Sequence, residues 1–368
     1  MFKERETLPL VAVAMSGGVD SSVAAALLLE RGYKVVGLTM KLWEYDAVGG
    51  NVHAESSCCS LEGISDAARV AEQLGIPHYV VDVHEAFERD VIQNFVDEYR
   101  RGRTPNPCVL CNVKTKWDVL RLKAKALGAQ YFATGHYARV RRNAETGRFE
   151  LWRAVDLDKD QSYALWALRQ AQLAETLLPL GDMTKDATRK MAERLGLRTA
   201  KKPDSQEICF VPDNDYRRFL RDRGEPERVG EIVDTAGNVL GYHRGTTGFT
   251  IGQRRGLGIA VGRPVYVVDI DPERNRVVVG SREDLLSHGL IATGVNWVAL
   301  SELRQPTRAW VKIRYRDRGA WATLYPAEEP KSVRVEFEEP QAAVTPGQSA
   351  VFYDGDRLLG GGFILARL

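Results

Sequence analysis

The stretch PLVAVAMSGGVDSSVAAALLLERG, residues 9–32, determines the class of fold. Its apolar start, residues 9–14, predicts a buried β-strand. Ser16-Gly17-Gly18 then predicts a tight turn, and the segment after Asp20 predicts a helix that ends at Gly32. Such a turn directs backbone N–H groups and a helix N-terminus toward one point, which suits an anionic phosphate group.

The next 180 residues repeat this alternation of strand and helix. Strands are predicted over 34–40, 78–83 and 131–134, and helices over 61–74, 85–101, 114–127, 161–180 and 185–195. Residues 139–154 alternate with a period of two around a Glu-Thr-Gly turn and predict a hairpin. Alternating strands and helices predict an α/β domain with a parallel sheet covered by helices on both faces.

The C-terminal third has a different character. Glycines punctuate short β runs after about residue 214, and from about residue 290 only β-like alternation remains. We therefore predict three domains: an α/β domain over 1–213, a small β-rich central domain over 214–288, and a C-terminal β-barrel over 289–368.

Length and composition exclude several classes of protein. The chain has 368 residues, of which 44% are hydrophobic and 27% charged, as in globular domains. It lacks an apolar run of the roughly 18 residues that a membrane span needs, and its N-terminus does not resemble a secretory signal, so we expect a cytoplasmic protein with no membrane partner. The five cysteines are an odd number and indicate reduced thiols rather than a disulfide framework.

The glycine turn has an ordinary interpretation and a functional one. It lacks the spacing of a P-loop and of a dinucleotide-binding fingerprint, and a plain strand-to-helix turn also uses glycine. The full string AMSGGVDSS, however, resembles the pyrophosphate loop of the PP-loop ATP pyrophosphatase superfamily. The resemblance implies that ATP phosphates are held by Ala14, Met15, Ser16, Gly17, Gly18, Val19, Asp20 and Ser21. It also implies Mg²⁺ near Asp20, adenine against Met40, and a nucleotide pocket completed by Gly135.

Cysteine pairs stand at two places. Cys58 and Cys59 are adjacent, near a helix start, and are interpreted as incidental. Cys108 and Cys111 form a C-x-x-C in a loop before a helix with Lys114 near its start, where positive charge favours the reactive thiolate. The residues alone leave open half of a zinc site or a redox disulfide.

Several unusual strings taken together resemble the tRNA-specific 2-thiouridylase family over nearly the whole chain. They are TPNPCVLCN (104–112), GHYAR (135–139), KDQSYAL (159–165), PDSQEICF (203–210) and GFTIGQRRGLGI (248–259). The resemblance implies a tRNA-uridine 2-sulfurtransferase that uses ATP to adenylylate the C2 oxygen of wobble uridine 34 in the anticodon loop.

The same resemblance implies roles for two cysteines. Cys111 corresponds to the nucleophile and Cys209 to the cysteine that carries sulfur as a persulfide, with a disulfide between them once sulfur has been handed over. The resemblance also implies a sulfur donor, such as a cysteine desulfurase or a sulfur-relay protein.

Cys108 stands where better-known members of the family carry Asp. Three motif thiols, Cys108, Cys111 and Cys209, could hold a [4Fe–4S] cluster with one open iron. The alternative is that Cys108 is a spectator or a resolving thiol.

Local charge predicts where RNA binds better than the net charge of +2 does. Residues 100–125 contain eight basic residues and one acidic residue, and residues 303–318 contain six and one. Solvated helix and strand faces would explain either run alone, whereas two runs favour a surface that follows phosphates. The resemblance implies tRNA contacts at Asn106, Pro107, Cys108, His136, Lys159, Asp160, Gln161, Arg314, Tyr315 and Gln348.

Two rival functions remain at this point. Another PP-loop adenylylating enzyme, such as a ligase, would leave the motif cysteines and the basic runs without a role. A noncatalytic, metal-bound RNA-binding protein would leave the intact SGGVDSS turn unexplained.

Overall fold

The computed structural model describes residues 8–43, 61–203 and 208–368, and these fall into two compact units. The first unit contains residues 1–91, 108–214 and 356–358, and the second contains 92–107, 215–355 and 359–368. The interpretation of Cys58 and Cys59 as incidental concerns residues outside the described ranges.

A parallel sheet forms the centre of the first unit. The strands of this unit are β1 (Leu8–Ala14), β2 (Tyr33–Lys41), β3 (His78–Asp82), β4 (Tyr131–Thr134), β5 (Ala138–Arg142), β6 (Phe149–Arg153) and β7 (Thr176–Leu177). The parallel strands are ordered β3-β2-β1-β4-β7, whereas β5 and β6 form the predicted hairpin. Val11, Ala12 and Val13 are fully buried because both faces of the sheet are covered, which explains the continuous apolar run of β1.

Helices alternate with these strands along the chain. Up to residue 203 they are α1 (Val19–Glu30), α2 (Leu61–Leu74), α3 (His84–Phe87), α4 (Gln93–Arg100), α5 (Pro107–Leu110), α6 (Arg121–Ala126), α7 (Gln170–Leu173) and α8 (Lys185–Arg194). Two π-helical stretches, Glu88–Ile92 and Cys111–Leu120, connect α3 to α4 and α5 to α6. The predicted alternation of strands and helices is confirmed.

Two predicted helices differ from the structure. The one predicted over 114–127 starts at Pro107, a residue suited to a first helical turn because it lacks an N–H, so Cys108 and Cys111 lie within the helical segment and not in a loop. The helix predicted over 161–180 is wrong. That segment contains a 3₁₀ turn at Ser162–Leu165, the short α7 and the edge strand β7, because its backbone bonds with β4 and with Tyr137 replace a continuous helix.

The second unit contains a mixed central sheet. Its strands β8 (Gly230–Asp234), β9 (Val239–His243), β10 (Tyr266–Asp271) and β11 (Arg276–Gly280) are ordered β10-β11-β8-β9, and α9 spans Tyr216–Asp222. Helix α4 belongs to this unit, because Tyr99 stacks on Tyr216 with ring centroids 4.9 Å apart and Phe95 meets Phe219 edge to face at 5.9 Å.

The C-terminal strands of the second unit close into an antiparallel barrel. They are β12 (Leu286–Trp297), β13 (Thr307–Lys312), β14 (Ala320–Pro326), β15 (Val333–Ala342), β16 (Ser349–Asp354) and β17 (Arg357–Arg367). The order is β12-β15-β14-β13-β16-β17, and β12 also pairs with β17, which removes the free edges. Alternate residues such as Ala309 and Val311 are buried inside.

The predicted fold class, an α/β domain followed by a small β-rich domain and a β-barrel, is confirmed. The boundaries at 213/214 and 288/289 stay predictions. Among the described residues, no helix combines the length and apolarity needed to cross a membrane.

Candidate active site and nucleic-acid contacts

The glycine turn between β1 and α1 is held in a fixed shape by its own serines. The Ser21 hydroxyl accepts a hydrogen bond from the Ser16 amide at 3.1 Å, and the Ser22 hydroxyl donates to Gly18 O at 2.8 Å. Gly17 has φ of 72°, and a Cβ there would stand 2.1 Å from the carbonyl oxygen of Gly63. Only glycine fits this position, because both the backbone conformation and the close approach exclude a side chain.

The exposed side of the turn suits an anion. Helix α1 starts at Gly18 without a side-chain cap, so its first amide groups are not satisfied by a side chain. Exposure alternates through the turn. The partly exposed residues are Ala14, Ser16, Gly18 and Asp20, whereas Met15, Gly17, Val19 and Ser21 are buried. The first set could touch phosphates, and the second holds the backbone in place.

Asp20 is the centre of a charged cluster. Lys185, 7% exposed at the start of α8, places Nζ 2.7 and 2.8 Å from the two carboxylate oxygens of Asp20. The Tyr137 hydroxyl donates to Asp20 Oδ1 at 2.8 Å and lies 3.0 Å from Thr188 Oγ1. The ammonium also lies over the Tyr137 ring, 5.7 Å from its centroid. A positive charge is therefore fixed beside the turn.

The two other predicted nucleotide contacts lie at strand ends near this turn. Met40 is buried near the end of β2, and Gly135 follows β4. A Cβ on Gly135 would be 2.7 Å from the backbone of Asp20, so glycine allows the end of β4 to approach the first turn of α1. Thr39 fixes the start of the turn by donating to Met15 O at 2.8 Å. Ligands of open parallel sheets bind at this carboxyl edge.

The C-x-x-C begins a helical segment of the first unit. Cys108 is exposed and Cys111 half-buried, and a spacing of three places them on one face of a helix. Asn112 anchors the segment by donating to Ala164 O at 3.0 Å, and Lys116 Nζ donates to Asn112 Oδ1 at 2.9 Å. Among residues 8–43, 61–203 and 208–368, which include all three motif cysteines, no three or more His, Cys, Asp or Glu side chains stand close enough together to hold a metal ion. The residues therefore do not fit a [4Fe–4S] cluster.

Cys209 is the other motif cysteine. It is half-buried, and the ring of its neighbour Phe210 packs edge to face on Phe87 with centroids 5.8 Å apart. This aromatic contact fixes the backbone that carries the Cys209 thiol.

His136 is half-buried and lies near the positive charge of Lys116. Its Nδ1 is 2.6 Å from Thr134 Oγ1, and its ring centroid is 5.8 Å from that of Trp117. Burial, followed by the charge of Lys116, lowers the pKa of His136 well below 6.5. The imidazole is therefore neutral at physiological pH and offers a neutral polar contact.

The neutrality of His136 can be tested by NMR. In a histidine-labelled sample, with His136→Gln as the assignment control, we expect the His136 resonance to remain that of a neutral ring from pH 8 down to about 6. Because the unfolded chain binds this proton near pH 6.5 and the folded chain does not, stability falls as the pH drops below 6.5. A midpoint at or above 6.5 contradicts the assignment.

The predicted tRNA-binding triplet 159–161 is partly structural. Asp160 is buried and accepts hydrogen bonds from the amide of Ala154 at 3.1 Å and the hydroxyl of Ser162 at 2.8 Å. Burial raises the pKa of Asp160 against the effect of these bonds. Gln161 Oε1 accepts from the Tyr137 amide at 3.0 Å. Asp160 and Gln161 thus shape the loop that presents the half-buried Lys159.

In the second unit, Gln348 holds the loop before the C-x-x-C. Its Nε2 donates to Pro105 O at 2.7 Å and to Thr104 O at 3.3 Å, and Asn106 Nδ2 donates to Ser349 Oγ at 3.4 Å. Pro107 follows as the first residue of α5. Arg314 donates to Ala342 O at 3.1 Å, and Tyr315 is 46% exposed, enough for its ring to stack on a base.

Comparison with known proteins relates this arrangement to one family. The model of the tRNA methyl transferase HUP domain matches residues 10–213, that of the tRNA methyl transferase PRC-barrel domain matches 217–281, and that of the aminomethyltransferase beta-barrel domain matches 287–364. The tRNA-specific 2-thiouridylase MnmA of Geobacter metallireducens is 54% identical over 360 residues, which cover 97% of each chain. The chain belongs to the tRNA-specific 2-thiouridylase family. It is accordingly an enzyme of the sulfurtransferase class.

Other 2-thiouridylases are similarly close. The protein of Heliobacterium modesticaldum is 51% identical, covering 97% of this chain and 93% of that one, and the protein of Carboxydothermus hydrogenoformans is 52% identical, covering 97% and 98%. Likeness to solved structures is weak. A 4-thiouridine synthetase in complex with RNA and ATP matches with a TM-score of 0.34 and 17% identity, over 58% of this chain and 50% of that one.

Sequence reasoning missed Lys185 in this 2-thiouridylase. In MTKDATRK a lysine at a helix start indicates a solvated surface charge, especially beside Asp186. The sequence does contain one signal: Thr184 is a favoured N-cap residue, which places Lys185 in the first turn of a helix. In the structure Thr184 caps α8 by accepting a hydrogen bond from the Ala187 amide at 3.2 Å.

Proposed function

We propose that this 2-thiouridylase uses ATP to convert the C2 oxygen of uridine 34 in tRNA into a leaving group and replaces it with sulfur. The observation that carries the proposal is the Gly17 turn with the uncapped start of α1, in a chain that also has the family's two sulfur-handling cysteines at 111 and 209. Oxide is a very poor leaving group, so activation must precede sulfur attack.

In the first step, the C2 oxygen attacks the α-phosphorus of ATP and pyrophosphate leaves. The amides of Gly17 and Gly18 and the ammonium of Lys185 stabilise the negative charge that develops on the departing oxygens. Met40 and Gly135 form the adenine side. The product is an O-adenylylated uridine.

In the second step, the Cys111 thiolate attacks the Sγ of a Cys209 persulfide. A disulfide between Cys111 and Cys209 forms, and hydrosulfide leaves. Hydrosulfide attacks C2, and AMP leaves with the original oxygen to give 2-thiouridine. A thiol reductant then restores both cysteines, and a donor such as a cysteine desulfurase or a relay protein reloads Cys209. Neutral His136 and the exposed Cys108 contact the extruded base.

Magnesium fits the ATP side of this proposal. Mg²⁺ is commonly bound by one or two carboxylates together with substrate phosphates, and the partly exposed carboxylate of Asp20 offers such a ligand. When bound there, Mg²⁺ would neutralise phosphate charge, and Lys185 supplies a second positive charge on the same carboxylate.

Each of the two units contributes proposed tRNA contacts. In the first unit we assign two tRNA contacts, His136 and Lys159. The loop that carries Lys159 is shaped by Asp160 and Gln161. In the second unit we assign Asn106, Pro107, Arg314 and Tyr315, with Gln348 supporting the loop at 104–106.

The function is tested by incubating the protein with ATP, Mg²⁺, sulfide or a persulfide donor, and unmodified tRNA, followed by nucleoside mass spectrometry. We expect 2-thiouridine at position 34 only when ATP is present. Absence of 2-thiouridine with every sulfur source, with and without oxygen, would contradict the proposal.

Substitution of Lys185 tests the charge beside the turn. We expect Lys185→Ala to lower kcat/KM for ATP by about 100-fold, because one preorganised charge is lost at the phosphates. Lys190→Ala, which removes an exposed lysine from the same helix, is the matched control. Equal kinetics for the two variants, both folded by circular dichroism, would remove Lys185 from the site.

A further inference from the structure

The central domain contains a cavity outside the site described above. It has a volume of about 360 Å³ and lies entirely within the second unit, between α9, the end of β9 and the glycine-rich segment 245–258. This volume falls within the range of small-ligand sites, roughly 300 to 1,000 Å³. No part of the sulfur-transfer chemistry uses it.

Arginines line this cavity from two sides. Arg217 and Arg221 are four residues apart on α9 and so share one face of the helix, whereas Arg244 follows β9. Arg217 Nε donates to Gly248 O at 2.8 Å, and its guanidinium lies 5.7 Å from the centroid of Phe249. These contacts fix the guanidinium of Arg217 in the cavity wall, and guanidinium groups are suited to binding phosphate.

Two glycines of the segment lie next to Arg217. A Cβ on Gly248 would stand 3.4 Å from Arg217 Nε, and one on Gly256 would stand 4.0 Å from Nη1. Gly256 and Gly258 also have φ of 69° and 72°, which side chains disfavour. The wall opposite α9 therefore contains stretches of backbone that carry no side chain, at Gly248, Gly256 and Gly258.

The carboxylates of the cavity leave its charge positive. Glu225 lies in the wall but is paired with Arg100, which lies outside it. Glu227 is 3.8 Å from Arg244, and both side chains are well exposed. Exposed pairs of this kind contribute little stability and exchange readily for a stronger anion. The three arginines of the cavity are therefore opposed by one carboxylate, that of Glu227, because Arg100 neutralises Glu225.

The mouth of the cavity indicates what kind of anion enters. Arg221 and Arg244 are exposed, and Tyr242 at the rim is 68% exposed. Because the mouth is open, the anion can be one group of a larger molecule whose remainder stays outside the cavity. The Tyr242 ring offers a surface on which a nucleobase can stack. A phosphate within a polynucleotide meets both conditions.

We propose that this arginine pocket binds a backbone phosphate of the tRNA substrate and adds an RNA contact in the central domain. The proposal rests on the proposed function for the identity of the RNA. The pocket raises the affinity for tRNA and helps to position it, because phosphate contacts fix the orientation of a nucleic acid and do not read its sequence.

The test measures tRNA binding by the full chain without turnover. We expect Arg221→Ala with Arg244→Ala to weaken binding about 10-fold and to reduce the slope of log K against log salt by about 1 to 2, because counterion release falls with each lost contact. The matched control is Arg274→Ala with Arg282→Ala, which removes two exposed arginines from the same domain outside the pocket. Equal melting temperatures confirm that both double variants fold.

Two outcomes overturn the proposal. If both double variants bind tRNA equally well, the pocket makes no RNA contact. If inorganic phosphate gives heat of binding with the parent but not with the pocket variant, while tRNA affinity is unchanged, the pocket is a small-anion site. Because binding is measured without turnover, a failure to form 2-thiouridine would count against the proposed function alone.

Discussion

Cys111→Ser and Cys209→Ser are each expected to lower 2-thiouridine formation on the order of 10³-fold or more, because a hydroxyl can neither carry a persulfide nor attack one. The two variants should fail differently. Cys111→Ser keeps a loaded persulfide on Cys209, whereas Cys209→Ser cannot be loaded. Mass spectrometry of each protein after incubation with a persulfide donor measures the added sulfur atom.

Cys108→Ser is the comparison for this pair, because serine keeps a small polar side chain against the base and removes only the third motif thiol. Cys108 is exposed, and the motif cysteines do not form a metal-holding group, so we expect this variant to keep activity within about fivefold of the parent. Full activity of Cys111→Ser or Cys209→Ser would contradict that residue's role. A reducible adduct between Cys209 and tRNA in Cys111→Ser would show instead that the persulfide attacks the base first.

Gly17→Ala has the second largest expected effect. A Cβ there would lie 2.1 Å from Gly63 O on a backbone with φ of 72°, so the turn must change shape. We expect kcat/KM for ATP to fall by about 100-fold or more, because the turn amides no longer converge on the phosphates. The measurement is the rate of tRNA-dependent AMP release.

Gly18→Ala is the control beside it in the same turn. Gly18 has φ of −95°, and the nearest atom to an added Cβ is Ser16 Oγ at 3.4 Å. Alanine should be tolerated here with a loss of no more than about fivefold. If the two alanine variants turn over ATP at similar rates, the shape of the turn at Gly17 does not matter for ATP use.

The sequence was most informative where one local pattern determines the structure. A run of Val and Ala followed by Ser-Gly-Gly and an apolar helix can form little other than the observed β1, turn and α1, and helix α2 has its predicted bounds. Gly17 could be recognised as special from the motif. Its contact with Gly63 could not, because it joins residues 46 apart in the chain.

Sequence reasoning failed where distant contacts override local preference. Residues 161–180 have helical spacing, but the buried Asp160 and the bond from Tyr137 to Gln161 hold the start of that segment in another shape. Likewise, nothing local shows that α4 belongs with the central domain, which depends on Tyr99 stacking on Tyr216. Lys185 could not be recognised from the sequence, because its partner, Asp20, is 165 residues away.

In the proposed reaction, the C2 oxygen of the uridine leaves with AMP. This step is tested most directly with tRNA whose uridine 34 carries ¹⁸O at C2, incubated with ATP and a sulfur donor, and with mass spectrometry of the released AMP. We expect one ¹⁸O atom in the AMP phosphate for each 2-thiouridine formed. Unlabelled AMP alongside 2-thiouridine would contradict it, because sulfur would then have entered without adenylylation of that oxygen.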